Sequence, residues 1–162
     1  MENELKVVDV FIGTTLRGSA KGSGRAMYIM RTKLKNGSDY EAAPQIVEYD
    51  NTTESESVLR AIRDALQRLH YACTVVIHTE CSYVASAITQ HWPEKWQRNG
   101  WKSAKGNPVK NAVLWEMLLQ DVEDGGHILL AEGEKHEYAE WMRFNMPLKR
   151  ALKDIFTEVP KN

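Results

Sequence analysis

Several features that define special protein classes are scarce in this chain of 162 residues. It has only two cysteines, Cys73 and Cys81, which form neither a CxxC motif nor a disulfide framework. Charged residues interrupt every apolar stretch well before the roughly 18 residues that a membrane span needs. The first residues, MENELK, lack the basic start and apolar core of a secretory signal. We therefore expect a cytoplasmic protein without a membrane span, in which both thiols are free and at least half-buried.

An excess of charge of either sign is also lacking. The 21 Lys and Arg residues nearly balance 22 Asp and Glu residues, so nucleic-acid binding through overall basicity is disfavoured. The total charge does not exclude a local basic patch that binds nucleic acid. Hydrophobic residues make up 43% of the chain, which is enough for a core and too many for disorder. We expect one domain over residues 1–146, followed by a C-terminal helix or tail over residues 147–162.

Two apolar runs in the first third of the chain predict a β-hairpin. Residues 25–34 and 40–49 flank Asn36-Gly37, and Asn-Gly between two such runs is a strong hairpin signal. Pro44 lies inside the second run and cannot donate to a β-ladder, so we expect that strand at an edge or with a bulge. With the strand described next, these runs predict an antiparallel meander.

The rest of the chain combines strand and helix patterns. Period-two alternation predicts a first strand over residues 8–13, and helical spacing predicts a helix over residues 58–69. Short apolar runs predict strands over residues 73–78 and 127–131. Further helices are predicted over residues 83–91, 92–101, 109–122 and 136–146. This order indicates an α/β domain with a mixed sheet and helices packed on it.

One segment resembles a specific enzyme family. Residues 88–115 read ITQHWPEKWQRNGWKSAKGNPVKNAVLW, which is similar to type 1 ribonuclease H. The matching residues, with the turn before the segment, are Thr79, Glu80, Tyr83, Val84, Trp92, Trp96, Gly100, Trp101, Lys102, Pro108, Val109, Lys110, Asn111, Leu114 and Trp115. The resemblance implies a ribonuclease H-like fold, with a five-stranded mixed sheet of order 3-2-1-4-5 and helices on both faces.

The resemblance also implies a chemistry that can be checked residue by residue. That family cuts the RNA strand of an RNA–DNA hybrid with two Mg²⁺ or Mn²⁺ ions held by four carboxylates, because hard cations prefer oxygen ligands. An ungapped alignment places Gly13 at the first carboxylate position and Val58 at the second. Glu56 or Glu54 serves at the second position only if the helix start is shifted; otherwise these acids simply favour the helix macrodipole.

The other two carboxylate positions are altered as well. Glu80 stands where the family has Asp, and its extra methylene displaces the oxygens from an octahedral Mg²⁺ site. At the start of the last helix, Glu140 or Glu137 is a substitute, and His136 is a counterpart of a mobile family histidine. The candidate catalytic residues are therefore Glu80, Glu56, Glu140 and His136, with Glu80 as the candidate metal ligand. We expect weak or absent cleavage.

Residues 92–111, which we call the handle, concentrate positive charge. They hold five basic residues and one acid, Glu94. Basic side chains neutralise phosphates, and tryptophan rings stack on bases or sugars. In the family this region grips the DNA strand of the hybrid. The predicted nucleic-acid-binding residues are Trp92, Lys95, Trp96, Arg98, Trp101, Lys102, Lys105 and Lys110. Tryptophans are also common in cores, and we favour core positions for Trp101 and Trp115.

Three hypotheses follow, in order of preference. The first is a ribonuclease H-like domain that binds nucleic acid, such as an RNA–DNA hybrid, with weak or no cleavage. The second is an active metal-dependent hybrid ribonuclease rebuilt from Glu80, Glu56 and Glu140, which requires that these carboxylates converge. The third is a structural or partner-binding module that does not retain a hybrid even at low salt.

Overall fold

The structure, a computed structural model, describes residues 4–146. The strands are β1 (Lys6–Thr14), β2 (Gly22–Lys33), β3 (Asp39–Glu41), β4 (Gln45–Thr52), β5 (Cys73–His78) and β6 (Ile128–Glu132). The helices are α1 (Glu54–Leu66), α2 (Ser82–Thr89), α3 (Trp92–Arg98), α4 (Ala112–Gly125) and α5 (Ala139–Asn145). The predicted helix or tail over residues 147–162 lies outside the described residues.

The strands form one mixed sheet. Its order is β3-β2-β1-β5-β6, and β4 also pairs with β2. β1 and β2 are antiparallel, whereas β5 is parallel to both β1 and β6. The predicted ribonuclease H-like fold is confirmed, with one difference: the predicted third strand is two strands, β3 and β4. The strand is interrupted at residues 42–44, which end in Pro44, a residue without an N–H for the ladder.

Helices cover both faces of the sheet, as predicted. Alternate residues of β1 point to opposite faces. Val8, Val10 and Ile12 join the main core with buried residues of α1, α2 and α4. Phe11 belongs to a second cluster on the opposite face, where Met142 of α5 is fully buried. The carboxyl end of β1 is therefore enclosed between α1 and α5.

Helix α1 begins at the same end of the sheet. Thr53 caps it: the Glu56 N–H donates to Thr53 Oγ1, and the Glu56 carboxylate accepts from the Thr53 N–H in a capping box. The hydroxyls of Thr14 and Ser57 share a buried hydrogen bond of 2.8 Å. This contact holds the first turn of α1 against the end of β1, where the family resemblance places the active site.

Two helices begin later than the sequence pattern predicts. Helix α4 begins at Ala112 because Asn111 adopts a left-handed conformation with φ of 63°. Helix α5 begins at Ala139, after a turn in which the Ala139 N–H donates to the carbonyl of His136.

The cysteine prediction is confirmed, because Cys73 and Cys81 are both buried free thiols. Burial raises the pKa of each thiol, so both favour the protonated, unreactive form. Within residues 4–146, no helix is long and apolar enough to cross a bilayer.

Candidate functional site

The first carboxylate position of the family lies directly under α5. A Cβ atom at Gly13 would meet Met142 Sδ at 2.9 Å and Met146 Cε at 3.1 Å. These methionines belong to the buried cluster on this face of the sheet. Any side chain at position 13 must displace them, and a carboxylate there would enter an apolar environment. The absence of a side chain at Gly13 therefore allows α5 to pack closely over the end of β1.

The second position is equally apolar. Val58, on α1, is fully buried in the main core. Glu56, the alternative at this position, is used by the capping box: its Oε1 accepts from the Thr53 N–H at 3.0 Å and from Thr52 Oγ1 at 3.2 Å. Glu54 Oε1 accepts from the Gly18 N–H at 2.8 Å. Both acids thus stabilise the helix start and the neighbouring loop.

Glu80 and Glu140 converge on one cation. The Arg143 guanidinium lies 3.0 Å from Glu80 Oε1 through Nη2 and 3.2 Å from Glu140 Oε2 through Nη1. Glu140 also forms an ion pair with Lys135. The hydrogen bond that the Lys135 ammonium donates to Glu140 holds the pKa of this carboxyl below its usual range. The positive charge between the two carboxylates is that of a side chain on α5. Sequence reasoning missed Arg143, although its spacing from Glu140 is typical of a helical ion pair.

His136 is hydrogen-bonded through both ring nitrogens. Its Nε2 donates to the carbonyl of Ile12 at 2.8 Å, and its Nδ1 accepts from the Tyr138 N–H at 3.2 Å. Burial lowers the pKa of the imidazole, although the Ile12 carbonyl and nearby Glu80 act in the opposite direction. Both ring nitrogens are engaged in the fold, so this histidine differs from a mobile proton carrier.

The donor set does not fit a two-metal centre. Across residues 4–146, no three His, Cys, Asp or Glu side chains are close enough together to hold a metal ion. Two of the family positions carry Gly13 and Val58, which have no ligand atoms. The Glu80 and Glu140 carboxylates are brought together, but Glu56 is engaged at the cap of α1. No catalytic step through a metal ion follows from this arrangement.

Asp9 forms a polar contact across the parallel strands. It lies on the opposite face of β1 from Val8 and Val10 and is only partly exposed. Its Oδ1 lies 2.8 Å from Nε2 of His78 on the neighbouring strand, and His78 Nδ1 lies 3.2 Å from Glu132 Oε1. The parallel pairing of β1 with β5 and of β5 with β6 brings these three side chains together.

The tryptophans of the handle are largely packed against the protein and only partly exposed to solvent. Trp92, Trp96 and Trp101 are half-buried against the main core. The rings of Trp96 and Trp115 meet edge to face at 6.1 Å, and Trp115 Nε1 donates to Tyr83 Oη at 3.2 Å. The favoured core position is confirmed for Trp115, which is buried, whereas Trp101 is only half-buried. The aromatic rings fasten the handle to α2 and α4 and leave only part of their surface for a ligand.

The basic side chains of the handle point into solvent. All five are exposed and, within residues 4–146, none forms an ion pair with a carboxylate: Lys95, Arg98, Lys102, Lys105 and Lys110. The backbone that displays them is well defined. Gly100 and Trp101 both have positive φ, and a bridge between Lys102 and Pro108 closes the loop. The chain therefore presents an exposed cationic surface on an ordered loop, and cations of this kind can neutralise phosphates.

Solved structures share this fold. The crystal structure of LC9-RNase H1, described as a type 1 RNase H with the type 2 active-site motif, matches with a TM-score of 0.68 and 20% identity, covering 88% of this chain and 72% of that one. A foamy viral protease-reverse transcriptase in complex with an RNA/DNA hybrid matches with a TM-score of 0.62 and 14% identity, covering 95% of this chain and 20% of that one. The fold is thus that of the ribonuclease H-like class.

Sequence comparisons give the family. The family model for RNase H matches residues 10–130. A ribonuclease H of Thermoanaerobacter sp. (strain X514) is 31% identical over 121 residues, which cover 74% of this chain and 73% of that protein. The chain belongs to the ribonuclease H family. A ribonuclease H of Caldicellulosiruptor saccharolyticus is 41% identical over 71 residues, and the match spans 44% of this chain and about half, 49%, of that relative.

Proposed function

We propose that this protein binds RNA–DNA hybrids through the handle and cleaves them weakly or not at all. One observation carries the proposal. The cations of the handle have no ionic partner within residues 4–146. In contrast, the carboxylates closest to the family's metal positions already contact other groups of the protein: Glu80 and Glu140 pair with Arg143, and Glu56 caps α1. The surface that would hold a nucleic acid is available, and the groups that would hold metal ions are not.

The proposal that the protein binds nucleic acid rests on the positive charge of the handle and on the exposure of its basic side chains. Each exposed cation that contacts a phosphate releases condensed counterions, which favours binding most at low salt. Phosphate contacts position the protein without reading sequence. One solved structure of similar fold holds an RNA/DNA hybrid, which makes a hybrid the first nucleic acid to test. We assign phosphate contacts to Lys95, Arg98, Lys102, Lys105 and Lys110, and partial stacking or sugar contacts to Trp92, Trp96 and Trp101.

The catalytic part rests on missing ligands. Hydrolysis in this family requires carboxylates at positions that here hold Gly13 and Val58. Loss of ligands from a metal centre generally costs several kcal/mol of transition-state stabilisation, or about a thousandfold in rate. Glu80 remains, but its carboxylate hydrogen-bonds to Arg143 at 3.0 Å.

An active enzyme is the second candidate, and one observation favours it. Glu80 and Glu140 lie on opposite sides of the Arg143 guanidinium, so movement of that one side chain would leave two carboxylates facing the same space. Mg²⁺ or Mn²⁺ would then be the ion to test, with His136 nearby. This candidate requires a further carboxylate, and Glu56 can supply it only by leaving the capping box of α1.

We also propose that the protein works in a reducing compartment such as the cytoplasm. Both cysteines are free and buried, and no disulfide is needed to hold residues 4–146 together. We assign the ribonuclease H-like domain to residues 1–146, with residues 147–162 as a C-terminal extension.

Binding is tested with a fluorescently labelled RNA–DNA hybrid in EDTA, over a series of salt concentrations. We expect retention at low salt and a linear fall of log K with log salt concentration. Unlabelled DNA duplex and single-stranded RNA serve as competitors and measure preference. A protein that fails to retain the hybrid at the lowest salt contradicts the proposal and leaves the partner-binding module as the remaining hypothesis.

A further inference from the structure

Part of the sheet carries exposed apolar side chains on the face that α5 covers elsewhere. The parallel pairing of β1, β5 and β6 sets side chains of the three strands side by side in rows on this face. Two rows near the amino end of β1 make up what we call the open face. Its residues are Val7, Thr74 and Ile128 in one row and Asp9, Val76 and Leu130 in the next.

The open face is apolar and accessible to solvent. Val7, Ile128 and Leu130 have relative exposures of 49%, 52% and 47%. In the adjoining row, Phe11 is buried, and its ring meets that of Tyr138 at 4.8 Å. Within residues 4–146, the cover over this face therefore stops one row short of the open face. Adjoining exposed apolar side chains of this kind mark a contact surface.

Negative charge lies along the edge of the open face nearest to Gly13. The carboxylates of Asp9 and Glu132 flank the imidazole of His78 at 2.8 and 3.2 Å. The Glu132 side chain is 59% exposed, and Glu134, in the loop that follows β6, is exposed as well. An occupant must therefore offer positive charge at this edge and apolar groups beyond it.

The cations beside this edge are already paired. Arg31 and Lys135 line a cavity together with Asp9. Arg31 forms an ion pair with Glu137 at 2.8 Å. Lys135 forms an ion pair with Glu140. Neither cation is therefore reserved for Asp9 or for the acids next to it.

Residues 148–159 of this chain, which we call the C-terminal segment, have the matching chemistry. Five apolar residues recur at a spacing that puts them on one side of a helix: Leu148, Leu152, Ile155, Phe156 and Val159. The charged residues, at the other positions of this repeat, are Lys149, Arg150 and Lys153, followed by Asp154 and Glu158. The positive charge thus comes first along the segment, and most of the large apolar groups follow.

The C-terminal segment starts from the same face of the sheet. Met146 belongs to the buried cluster of α5 and lies beside Gly13. Along β1, Asp9 is about 13 Å and Val7 about 20 Å from Gly13. A helix of twelve residues spans about 18 Å. A segment that runs from Gly13 along the sheet therefore meets the acids first and the exposed apolar side chains next, which is the order of its own basic and apolar residues.

We propose that the C-terminal segment docks on the open face of its own chain. Its basic residues face the carboxylates of Asp9 and Glu132, and Ile155 and Phe156 cover Leu130. Because the segment is tethered to α5, docking costs far less translational freedom than the binding of a separate molecule. A small apolar contact is therefore sufficient.

Other occupants fit less well. The open face is three strands wide and two rows long, about 10 Å by 7 Å between Cα positions. A stable dimer buries about 800 Å² on each partner, which is far more than this surface offers. A nucleic-acid backbone would meet the carboxylates of Asp9 and Glu132 and be repelled.

The test measures how well the open face is covered in the full chain. Leu130→Cys places a reactive thiol on this face, whereas Cys73 and Cys81 are buried. A chromogenic aromatic disulfide labels the new thiol, with and without the added pair Ile155→Ser and Phe156→Ser. We expect the pair to accelerate labelling about tenfold, because the thiol is then uncovered for more of the time.

The matched control is Val113→Cys, at a position on α4 that is 69% exposed and lies outside the open face. We expect the serine pair to leave its labelling rate unchanged. Thermal unfolding shows which variants are folded, and Ile128→Cys repeats the measurement at the neighbouring row. Lys149→Glu together with Lys153→Glu should also accelerate labelling of Leu130→Cys, since like charges then face each other.

Two results overturn the proposal. One is a labelling rate of Leu130→Cys and of Ile128→Cys that neither the serine pair nor the charge reversal changes. The other is slow labelling that becomes faster on dilution, because the cover is then a second copy of the chain. Acceleration by both sets of changes at the open face, and not at Val113→Cys, supports docking of the C-terminal segment.

Discussion

The guanidinium of Arg143 donates a hydrogen bond to the carboxylate of Glu80 over 3.0 Å, while its other terminal nitrogen lies 3.2 Å from Glu140. The two acids that sequence reasoning placed in a metal site thus share an organic cation. An arginine has no open coordination position and cannot activate a water molecule as a metal ion does. The arrangement satisfies the charges of the acids within the fold.

Replacing Arg143 tests whether its ion pair with Glu80 blocks a metal site that could otherwise support cleavage. Because the pair is partly exposed, with side-chain exposures of 45% and 33%, we expect Arg143→Met to lower the free energy of unfolding by less than about 1 kcal/mol. We expect no gain of hybrid cleavage with Mg²⁺ or Mn²⁺, since Gly13 and Val58 still lack carboxylates. Metal-dependent cleavage that appears in Arg143→Met, but not in the surface control Lys35→Met, favours the second candidate function.

Restoring a carboxylate at position 13 should damage the fold. The Cβ of Gly13→Asp would meet Met142 Sδ at 2.9 Å, and its charge would enter an apolar cluster. We expect a loss of about 3 kcal/mol in the free energy of unfolding. Gly13→Ala, which adds only the methyl group, should cost about 1 kcal/mol. Urea unfolding measures both, and equal stability of Gly13→Asp and the parent protein contradicts the packing described for α5.

His136 makes stability depend on pH. The fold depresses the pKa of its imidazole, so the unfolded chain binds the proton first as the pH falls. The stability it contributes is present above the unfolded pKa of about 6.5 and is lost as the pH falls through the folded value. We expect His136→Asn to show a weaker loss of stability on acidification. An NMR titration of His136 in the folded protein with an apparent pKa above 6.5 contradicts this account.

Removing a positive charge from the handle should weaken hybrid binding and make the binding constant less dependent on salt concentration. Lys95 is exposed and has no ionic partner within residues 4–146. If it contacts a phosphate, Lys95→Gln reduces the slope of log K against log salt concentration by about one. The matched control is Lys35→Gln, on the hairpin between β2 and β3, where we expect no change. Equal slopes for the two variants argue against the handle as the binding surface.

Local patterns predicted most of the fold. Period-two alternation in β1 and helical spacing in α1 depend on neighbours in sequence. Both elements are present, although α1 covers Glu54–Leu66 and the pattern predicted residues 58–69. Asn36-Gly37 likewise predicted the turn between β2 and β3. Pro44 was predicted to disturb the third strand, and it marks the point where that strand divides in two. Such features are encoded within a few residues.

Contacts between distant residues could not be predicted in this way. The approach of Met142 to Gly13 and of Arg143 to Glu80 depends on how α5 lies across the sheet. Likewise, Asp9 meets His78 because of the register between β1 and β5. The sequence indicated which family carboxylates were replaced, but only the packed structure shows how the replacements are accommodated.

The most direct test of the central claim follows the RNA strand of a hybrid that the protein has bound. The RNA is end-labelled, the complex is formed at low salt, and Mg²⁺ and then Mn²⁺ are added to the parent protein and to Glu80→Ala. The account predicts that both proteins retain the hybrid and that the RNA is cut equally slowly by both, or not at all, with either ion. Cleavage by the parent protein that disappears in Glu80→Ala would contradict it.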